Sequence, residues 1–599
     1  MAKKKQPKST SVQSAQIRDL PDYVVRQVLG PPASRGRKRA PRLAGLESRR
    51  RLREAGVDAG KASREVIEAA RSIESKAPVP EQELPQDIQA TTQAIERRGH
   101  RFHGAKVSLA WFPWRRLVSP CADKFGYLTA KGIRQATKLP VNATTIGLLD
   151  SLGELMGNPG RETAADSPIP AGFTYVGQFV DHDITLDVSS RLDLNVDTNA
   201  ETINNMRSPA LDLDSVYGDG PALHPFLFAF PSSGPSTAIK MQLGSNTNTG
   251  PGGPAGAGGT PADMKIQVDF DVPRINNPLN PGASTLTAVI GDPRNDENLI
   301  VGQLHHAMLR FHNTVVDTLL VANFTGDIFV EARKIVTHHY QWAVVNDFLE
   351  RVCGKPAVDA ALASVSAPPG SPFRMPVEFA VAGYRFGHSM IRDRYWVNFN
   401  FPNATLAQVF EFIRPPRLPV FSNWVVDFNA FFDTGFVVPV NNKARKIDSV
   451  LANGLEALPG FTGMMAVLAQ RNLRRGLALG LPSGQGVAKH FNIPAMTAAQ
   501  IQQGLPNDEV AILTANAGLL LKRTPLWYYV LREAVVLKNG DQLGPVGARI
   551  VAETFVRILK RDASSYLNVS GGFTPTLPSA VAGKFTFADL VNFAGVTHP

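Results

Sequence analysis

Apolar residues recur every three to four positions along several stretches of the chain, the spacing that places side chains on one face of a helix. This pattern predicts helices over residues 173–186, 299–321, 327–351, 376–391, 443–457, 463–477, 507–517 and 523–538. Strand-like alternation is rare and short, as at 265–269, and the Gly/Pro-rich stretch 244–263 predicts a surface loop. No repeat at a fixed period is visible. We therefore expect a mainly α fold with few short strands, formed by a large single domain over residues 96–599.

The first 95 residues differ in composition from the rest of the chain. They are rich in Lys, Arg, Pro, Ser and Gln, which predicts a largely disordered extension, with a helix around 46–74. Residues 1–60 hold 15 Lys and Arg against 5 Asp and Glu, so they carry +10 of the net charge of +11. The basic clusters at 35–39 and 49–53 suit contact with nucleic acid or an anionic surface, and a solvated tail that aids solubility explains them equally well.

Bulk composition narrows the class of protein. A hydrophobic content of 43% and a charged content of 19% are ordinary for a globular protein. No run of 18 uncharged apolar residues occurs, so we expect no transmembrane helix, and the basic start lacks the apolar region of a Sec signal peptide. Cys121 and Cys353 are the only cysteines, which excludes a disulfide framework. These features favour a bacterial protein that is cytoplasmic or exported by a signal-independent route.

Polar chemistry is concentrated in the predicted helix around residue 180. Gln178 and His182 are four residues apart and therefore share one face, whereas Asp183 is rotated from His182 by about 100°. One helix can thus offer an imidazole to one site and a carboxylate to another. A polar helix beside a core can also carry these residues for solubility alone.

A turn-rich loop further along the chain has the spacing of a calcium site. Ser208, Asp212 and Asp214 occupy alternate positions, and the carbonyl of Ala210 lies between them. Hard oxygen ligands at such spacing are what a Ca²⁺ loop supplies, and Asp183 would complete the set. Crowded carboxylates repel one another unless a cation neutralises them. An Asp-rich loop without a metal remains the alternative.

Three more motifs carry candidate site residues. Arg294 and Glu297 lie just before the helix predicted at 299, where an Arg can stabilise developing negative charge or the acidic residues can cap the helix. His388 follows a glycine that allows close approach of a planar group, and otherwise fits a core histidine. Asn472 can orient a histidine ring, or it can be an exposed helical residue.

Taken in order, these five motifs resemble those of the animal-type haem peroxidases, the peroxidase–cyclooxygenase superfamily, over roughly residues 100–599. The resemblance implies haem b and Ca²⁺ as cofactors. It implies that His182 is the distal histidine, with Gln178 as its companion, and that Arg294 is the distal arginine. It implies His388 as the proximal iron ligand and Asn472 as the acceptor of its N–H. The implied calcium ligands are Asp183, Ser208, the carbonyl of Ala210, Asp212 and Asp214.

The resemblance also implies the reaction. H₂O₂ would be reduced through a ferryl intermediate that oxidises a halide, a pseudohalide or a small aromatic donor, while calcium plays a structural part. Asp181 and Glu297 match the carboxylates that esterify haem methyl groups in vertebrate members, so the haem can be ester-linked. Asn298 stands where one vertebrate member has the Met of a sulfonium link, which therefore cannot form.

Two alternatives to a peroxidase differ in what they require of the sequence. Fatty-acid dioxygenases of the same superfamily place a radical-forming Tyr three residues before the proximal histidine, where this chain has Arg385, and Tyr384 is one residue away. One residue on a helix rotates the side chain by about 100°. A non-catalytic adhesion or scaffold protein would need none of the candidate catalytic residues, so their joint presence argues against it.

Overall fold

The structure is a computed structural model that describes residues 101–102, 105–106, 124–158, 161, 166–187, 199–246, 269–276, 286–411, 419–458 and 462–597. The part described belongs to one compact unit, Ala94–Pro599. The predicted extension over 1–95 lies outside these residues, as do Cys121 and most of the segments 244–263 and 265–269.

Helices dominate the described residues, so the predicted fold class is confirmed. The α-helices span Lys131–Thr137, Ala143–Met156, Gly172–Ile184, Asp214–Tyr217, Leu299–Val321, Ile328–Ala343, Glu350–Cys353, Lys355–Ser364, Leu406–Glu411, Leu468–Ala478, Gly484–His490, Ala498–Gln502, Asn507–Lys522, Leu526–Lys538, Pro545–Arg561 and Phe587–Phe593. Short 3₁₀ turns span Ala200–Thr202, Pro225–Leu227, Pro293–Asp296, Ser422–Trp424, Phe428–Ala430, Gly463–Ala466 and Tyr566–Asn568. No helix among the residues described is both long and apolar enough to cross a bilayer.

Strands occur only as short two-stranded pairs within the described ranges. Five pairs are antiparallel: Arg101–Phe102 with Ala105–Lys106, Asp166–Pro170 with Lys443–Arg445, Phe228–Ala229 with Lys240–Met241, Arg274–Asn276 with Leu286–Ala288, and Arg394–Tyr395 with Ala404–Thr405. Phe125–Gly126 pairs with Met375–Pro376 in parallel.

The helix Leu299–Val321 lies at the centre of the core. Its start is capped by Asn298, whose side chain accepts a hydrogen bond from the backbone N–H of Val301 at 2.9 Å. Its first eleven residues are all buried. It packs against Ile328–Ala343, Gly172–Ile184 and Phe587–Phe593. This first half of the helix is buried on every side, so a histidine on it needs a hydrogen-bond partner.

Two predicted helices take another form. The prediction of a helix over 443–457 is wrong. Lys443–Arg445 is a strand, and a turn follows in which the carboxylate of Asp448 accepts a hydrogen bond from the backbone N–H of Val450 at 2.8 Å. The segment predicted at 376–391 is helical but not α-helical: a π-helix, Glu378–Ala382, runs into a 3₁₀-helix, Gly383–Met390.

Candidate active site

His182 is buried on the helix Gly172–Ile184 and is held through one ring nitrogen. Its Nδ1 lies 2.8 Å from Oδ1 of Asn295. Burial, reinforced by the charge of Arg294, lowers the pKa of His182 to about 3, so the imidazole is neutral near pH 7. A neutral imidazole keeps a lone pair on one ring nitrogen and can act as a base.

Arg294 is fixed beside His182 from the 3₁₀ turn Pro293–Asp296. Its Nη2 donates to the backbone carbonyl of His182 at 2.9 Å and to Oδ2 of Asp292 at 2.7 Å. Asp292 also caps the turn by accepting from the backbone N–H of Arg294 at 2.9 Å. Burial alone would raise the pKa of the Asp292 carboxyl, but Arg207 and Arg294 hold it well below its usual range. The predicted pair of His182 and Arg294 is therefore brought together.

Gln178, on the helix that carries His182, forms a hydrogen-bonded group with Glu297 and Asn298. Gln178 donates to Oε2 of Glu297 at 3.4 Å and accepts from Nδ2 of Asn298 at 3.1 Å. Burial raises the pKa of Glu297 to about 7. Burial also raises the pKa of Asp181, whose Oδ1 accepts from Thr185 Oγ1 at 2.8 Å. The two carboxyls expected from the resemblance are thus both partly buried.

His388 lies on the 3₁₀-helix Gly383–Met390, which packs against the helix that carries His182. A Cβ on Gly387 would meet nothing within 4 Å, so open space adjoins His388. Burial, then the charges of Arg385 and Arg471, lowers the pKa of His388 to about 3. Its imidazole is therefore neutral, as an iron ligand requires.

Asn472 is brought to His388 as expected, but with its amide the other way round. Nδ2 of Asn472 lies 2.8 Å from Nδ1 of His388, and Oδ1 accepts from Arg385 Nη1 at 3.4 Å. Iron binding through Nε2 needs a proton on Nδ1 and hence an acceptor opposite it. Rotation of the amide by about 180° would place Oδ1 opposite Nδ1 of His388, at the expense of the 3.4 Å hydrogen bond from Arg385.

The predicted calcium loop brings its carboxylates together. Oxygens of Asp183, Asp212 and Asp214 all lie within 4.8 Å of one another. Oγ of Ser208 donates to Asp212 Oδ1 at 2.9 Å and to Asp214 Oδ2 at 3.2 Å, and Ala210 belongs to the same loop. Burial, then repulsion from Asp214 and Asp212, raises the pKa of Asp183 well above its usual value. This donor set fits a hard divalent cation, which would relieve the repulsion.

Backbone strain also marks this loop. Leu213 is buried with φ of 57°, a left-handed conformation that a branched side chain seldom adopts. Its N–H donates to Asp183 Oδ2 at 3.2 Å, and Oγ of Ser215 donates to Asp183 Oδ1 at 3.0 Å. Tyr340 Oη completes the set at 3.5 Å. These contacts hold Asp183 against the loop.

Several further residues support the site, although they lie outside the motifs recognised in the sequence. Nε of Arg207 donates to Asp292 Oδ2 at 2.8 Å and its Nη1 to Asp214 Oδ1 at 3.2 Å, so this side chain joins the carboxylate cluster to the Arg294 turn. Asn295 bonds to His305 as well as to His182. No local motif marks these residues, because each acts on a partner far away in the chain.

Comparison with known proteins supplies the family context. The model of the animal haem peroxidase family matches residues 190–592, more than half of the chain, and begins after His182. Peroxidasin homolog pxn-2 of Caenorhabditis elegans is 26% identical over 295 residues, which cover 46% of this chain and 21% of that protein. A peroxidase-like protein of Margaritifera margaritifera is 29% identical over 255 residues, which cover 38% of this chain and 28% of that protein. The chain thus spans only a minor part of the length of these relatives.

Among solved structures, peroxidase A from Dictyostelium discoideum is similar in fold. It superposes with a TM-score of 0.51 at 15% identity, over 80% of this chain and 94% of that chain. At this identity the likeness concerns the arrangement of the helices.

Proposed function

Because the chain belongs to the animal haem peroxidase family, we propose that it is a haem-dependent peroxidase that reduces H₂O₂ and oxidises a halide, a pseudohalide or a small aromatic donor. One observation carries the proposal. The neutral imidazole of His182 is held through Nδ1, and Arg294 is fixed against its backbone carbonyl. A positioned base beside a positioned cation is what cleavage of an O–O bond requires.

The residues around His388 fit a haem group. His388 would bind the iron, with Asn472 accepting from Nδ1 in the rotated amide orientation. Burial, then the charge of Arg475, lowers the pKa of Arg385 to about 10. Arg471 is a further cation near His388. These positive charges would attract the carboxylates of a ligand. Bound haem would supply the redox chemistry, in which two electrons reduce H₂O₂ and are later recovered from the donor. Asp181 and Glu297 would be the carboxyls available for ester links.

The protein's own residues would handle the protons. His182 takes a proton from the near oxygen of H₂O₂ and returns it to the far oxygen as the O–O bond breaks, so that this oxygen leaves as water. Such positioned proton transfer contributes about 10²–10⁴-fold. Arg294 stabilises the negative charge that builds on the leaving oxygen. Two further protons and two electrons complete the reduction of H₂O₂ to two water molecules.

Ca²⁺ would be bound by Asp183, Ser208, Asp212, Asp214 and the carbonyl of Ala210. Because Asp183 directly follows His182, a cation clamped there would fix the end of the helix that presents the base. Its part in the proposal is structural.

Optical spectra of the haem-reconstituted protein test the proposal. We expect a Soret band that shifts on addition of H₂O₂ and that is lost in His388→Ala. His312→Ala is the control, since His312 is a fully buried histidine that bonds to Tyr217 and to the Ile239 carbonyl. An unchanged haem spectrum in His388→Ala, or no response to H₂O₂ in wild type, would contradict it.

Oxygen uptake separates a peroxidase from a dioxygenase. The ring of Tyr384 stacks on Phe379 with centroids 4.7 Å apart and packs edge-on against Phe348 and Phe555. We expect wild type to oxidise iodide or a phenol with H₂O₂ and to take up no oxygen with an unsaturated fatty acid. Fatty-acid-dependent uptake that disappears in Tyr384→Phe would instead identify a dioxygenase.

A further inference from the structure

We infer that Asn295 and His305 form a hydrogen-bonded relay that holds His182 in the tautomer with its proton on Nδ1, leaving Nε2 as the base. This inference rests on the proposed function, since it assigns positioning residues to the reaction proposed for His182. Neither Asn295 nor His305 would touch the peroxide. Both act through the ring of His182.

The relay runs through three buried side chains. Nδ1 of His182 lies 2.8 Å from Oδ1 of Asn295, and Nδ2 of Asn295 lies 3.0 Å from Nδ1 of His305. His182 is 5% exposed, and the other two are fully buried. An amide oxygen only accepts and an amide nitrogen only donates. Asn295 in this orientation therefore requires a proton on Nδ1 of His182 and a lone pair on Nδ1 of His305.

The middle residue of the relay and its far end are held in place. The backbone N–H of Asn295 donates to the carbonyl of Asp292 at 3.0 Å. The carboxylate of the neighbouring Asp296 accepts two hydrogen bonds of 2.9 Å from Arg274. His305 lies in the second turn of the helix Leu299–Val321, within its fully buried part. The amide cannot move away from either ring without disturbing one of these elements.

The opposite amide orientation would reverse the chemistry. If Nδ2 faced His182, the proton of that ring would lie on Nε2, and the ring could not accept a proton from peroxide. Nε2 of His305 has no hydrogen-bond partner among the described residues, so neither orientation is favoured by a bond at that end. The two orientations do, however, predict opposite effects of substitution at Asn295.

Cyanide binding to the haem-loaded ferric protein tests the relay without turnover. Cyanide arrives as HCN, and its proton must be taken by a nearby base, so the association rate reports the base competence of His182. Asn295→Leu removes both hydrogen bonds, and Asn295→Asp keeps an acceptor opposite Nδ1 of His182. His305→Leu removes the far partner, and His305→Asn places an amide oxygen near the position of Nδ1.

The inference predicts a defined pattern of rates. Asn295→Leu and His305→Leu should slow cyanide association by about 10–100-fold, the usual cost of losing a residue that orients a functional histidine. Asn295→Asp and His305→Asn should stay close to wild type. The control is His312→Leu, on the same helix and outside the relay, which should keep the wild-type rate. Thermal midpoints of all variants would separate loss of base function from loss of folded structure.

Two results would overturn the relay. One is that neither Leu variant slows cyanide association more than His312→Leu does. The other is that Asn295→Asp binds cyanide faster than wild type, since this is what the opposite amide orientation predicts. The nearly isosteric Asp variant decides the matter even where a Leu variant fails to fold.

The same samples distinguish this failure from failure of the proposed function. If wild type binds cyanide in an Asn295-dependent manner but does not react with H₂O₂, the peroxidase proposal falls and the relay stands. If wild type reacts with H₂O₂ and both Leu variants react equally fast, the relay falls and the peroxidase proposal stands.

Discussion

A single side chain, that of Arg207, joins the two parts of the candidate site, the carboxylate cluster and the turn that carries Arg294. It is 5% exposed and joins Asp292, which supports Arg294, to Asp214 of the carboxylate cluster. Buried carboxylates without a cation would repel one another or take up protons. The charge of this one arginine therefore lets the loop and the Arg294 turn approach each other.

Arg207→Leu should be strongly destabilising for that reason. Removal of one partner from a buried ion pair costs about 3–5 kcal/mol, because a charge is left buried without compensation. Urea unfolding measures the change. Arg374→Leu is the control, since Arg374 pairs with Glu201 at 3.4 Å with both side chains nearly half exposed, and loss of an exposed pair costs about 0–1 kcal/mol. Equal effects of the two substitutions would show that Arg207 does not bridge buried charges.

At the scale of elements, side chains from one helix often complete the end of another. The helix Pro545–Arg561 begins after Gly544 without a side-chain cap of its own. Oε2 of Glu533, on the preceding helix Leu526–Lys538, accepts from the backbone N–H groups of Val546 at 2.9 Å and Gly547 at 3.2 Å. A Cβ on Gly544 would press against Glu533. The glycine is thus required by the close approach of the carboxylate.

Glu533 should make stability depend on pH. Burial raises its pKa from 4.5 to about 7. Between these values the folded protein keeps a proton that the unfolded chain has lost, so the contribution of Glu533 to stability falls as pH rises from about 4.5 to about 7. Glu533→Gln keeps the acceptor oxygen and removes this dependence. The free energy of unfolding of the variant, minus that of wild type, should therefore be about 2–4 kcal/mol larger at pH 8 than at pH 4.

Urea unfolding of wild type and Glu533→Gln across this pH range would measure the effect. Glu331→Gln is the control, because Glu331 is partly exposed and pairs with Lys334 at 3.2 Å. If the unfolding free energies of wild type and Glu533→Gln change with pH in parallel, the Glu533 carboxyl titrates alike in the folded and the unfolded protein, and the prediction is wrong.

At the scale of the whole molecule, the candidate cation site ties together segments that are remote in sequence. Asp183 comes from one helix, Asp212 and Asp214 come from a loop, and Tyr340 reaches Asp183 from a third segment. A ligand that binds only this folded arrangement stabilises the protein by mass action. Calcium binding should therefore be visible in global unfolding.

Ca²⁺ should raise the thermal midpoint of wild type, by an amount equivalent to about 2.7 kcal/mol when its free concentration is 100 times the dissociation constant. Asp183→Asn should abolish this response. Asp317→Asn, at an exposed pair with Lys240, should retain it. A wild-type midpoint that is the same in excess Ca²⁺ and in a chelator would exclude the proposed calcium site.

Local pattern in the sequence was sufficient for the fold class and for several helices. The helix predicted at 299–321 is found as Leu299–Val321, because its apolar spacing continues without interruption and Asn298 caps its start. The helix Pro545–Arg561, which is not among the predicted helices, has an apolar face of the same kind, with Pro at its start. Its signal is present in the sequence itself.

What the sequence by itself determined is the mainly α class and the identity of the motif residues, including the carboxylates that meet in the Asp183 cluster. Only the tertiary structure decided that Asn295 pairs with His182, since 113 residues separate them. It alone showed that Lys443–Arg445 pairs as a strand with Asp166–Pro170 and that the His388 segment is a 3₁₀-helix. The physical reason is range: periodicity and capping involve neighbours within a turn or two, whereas these features depend on which distant surfaces meet when the chain is buried.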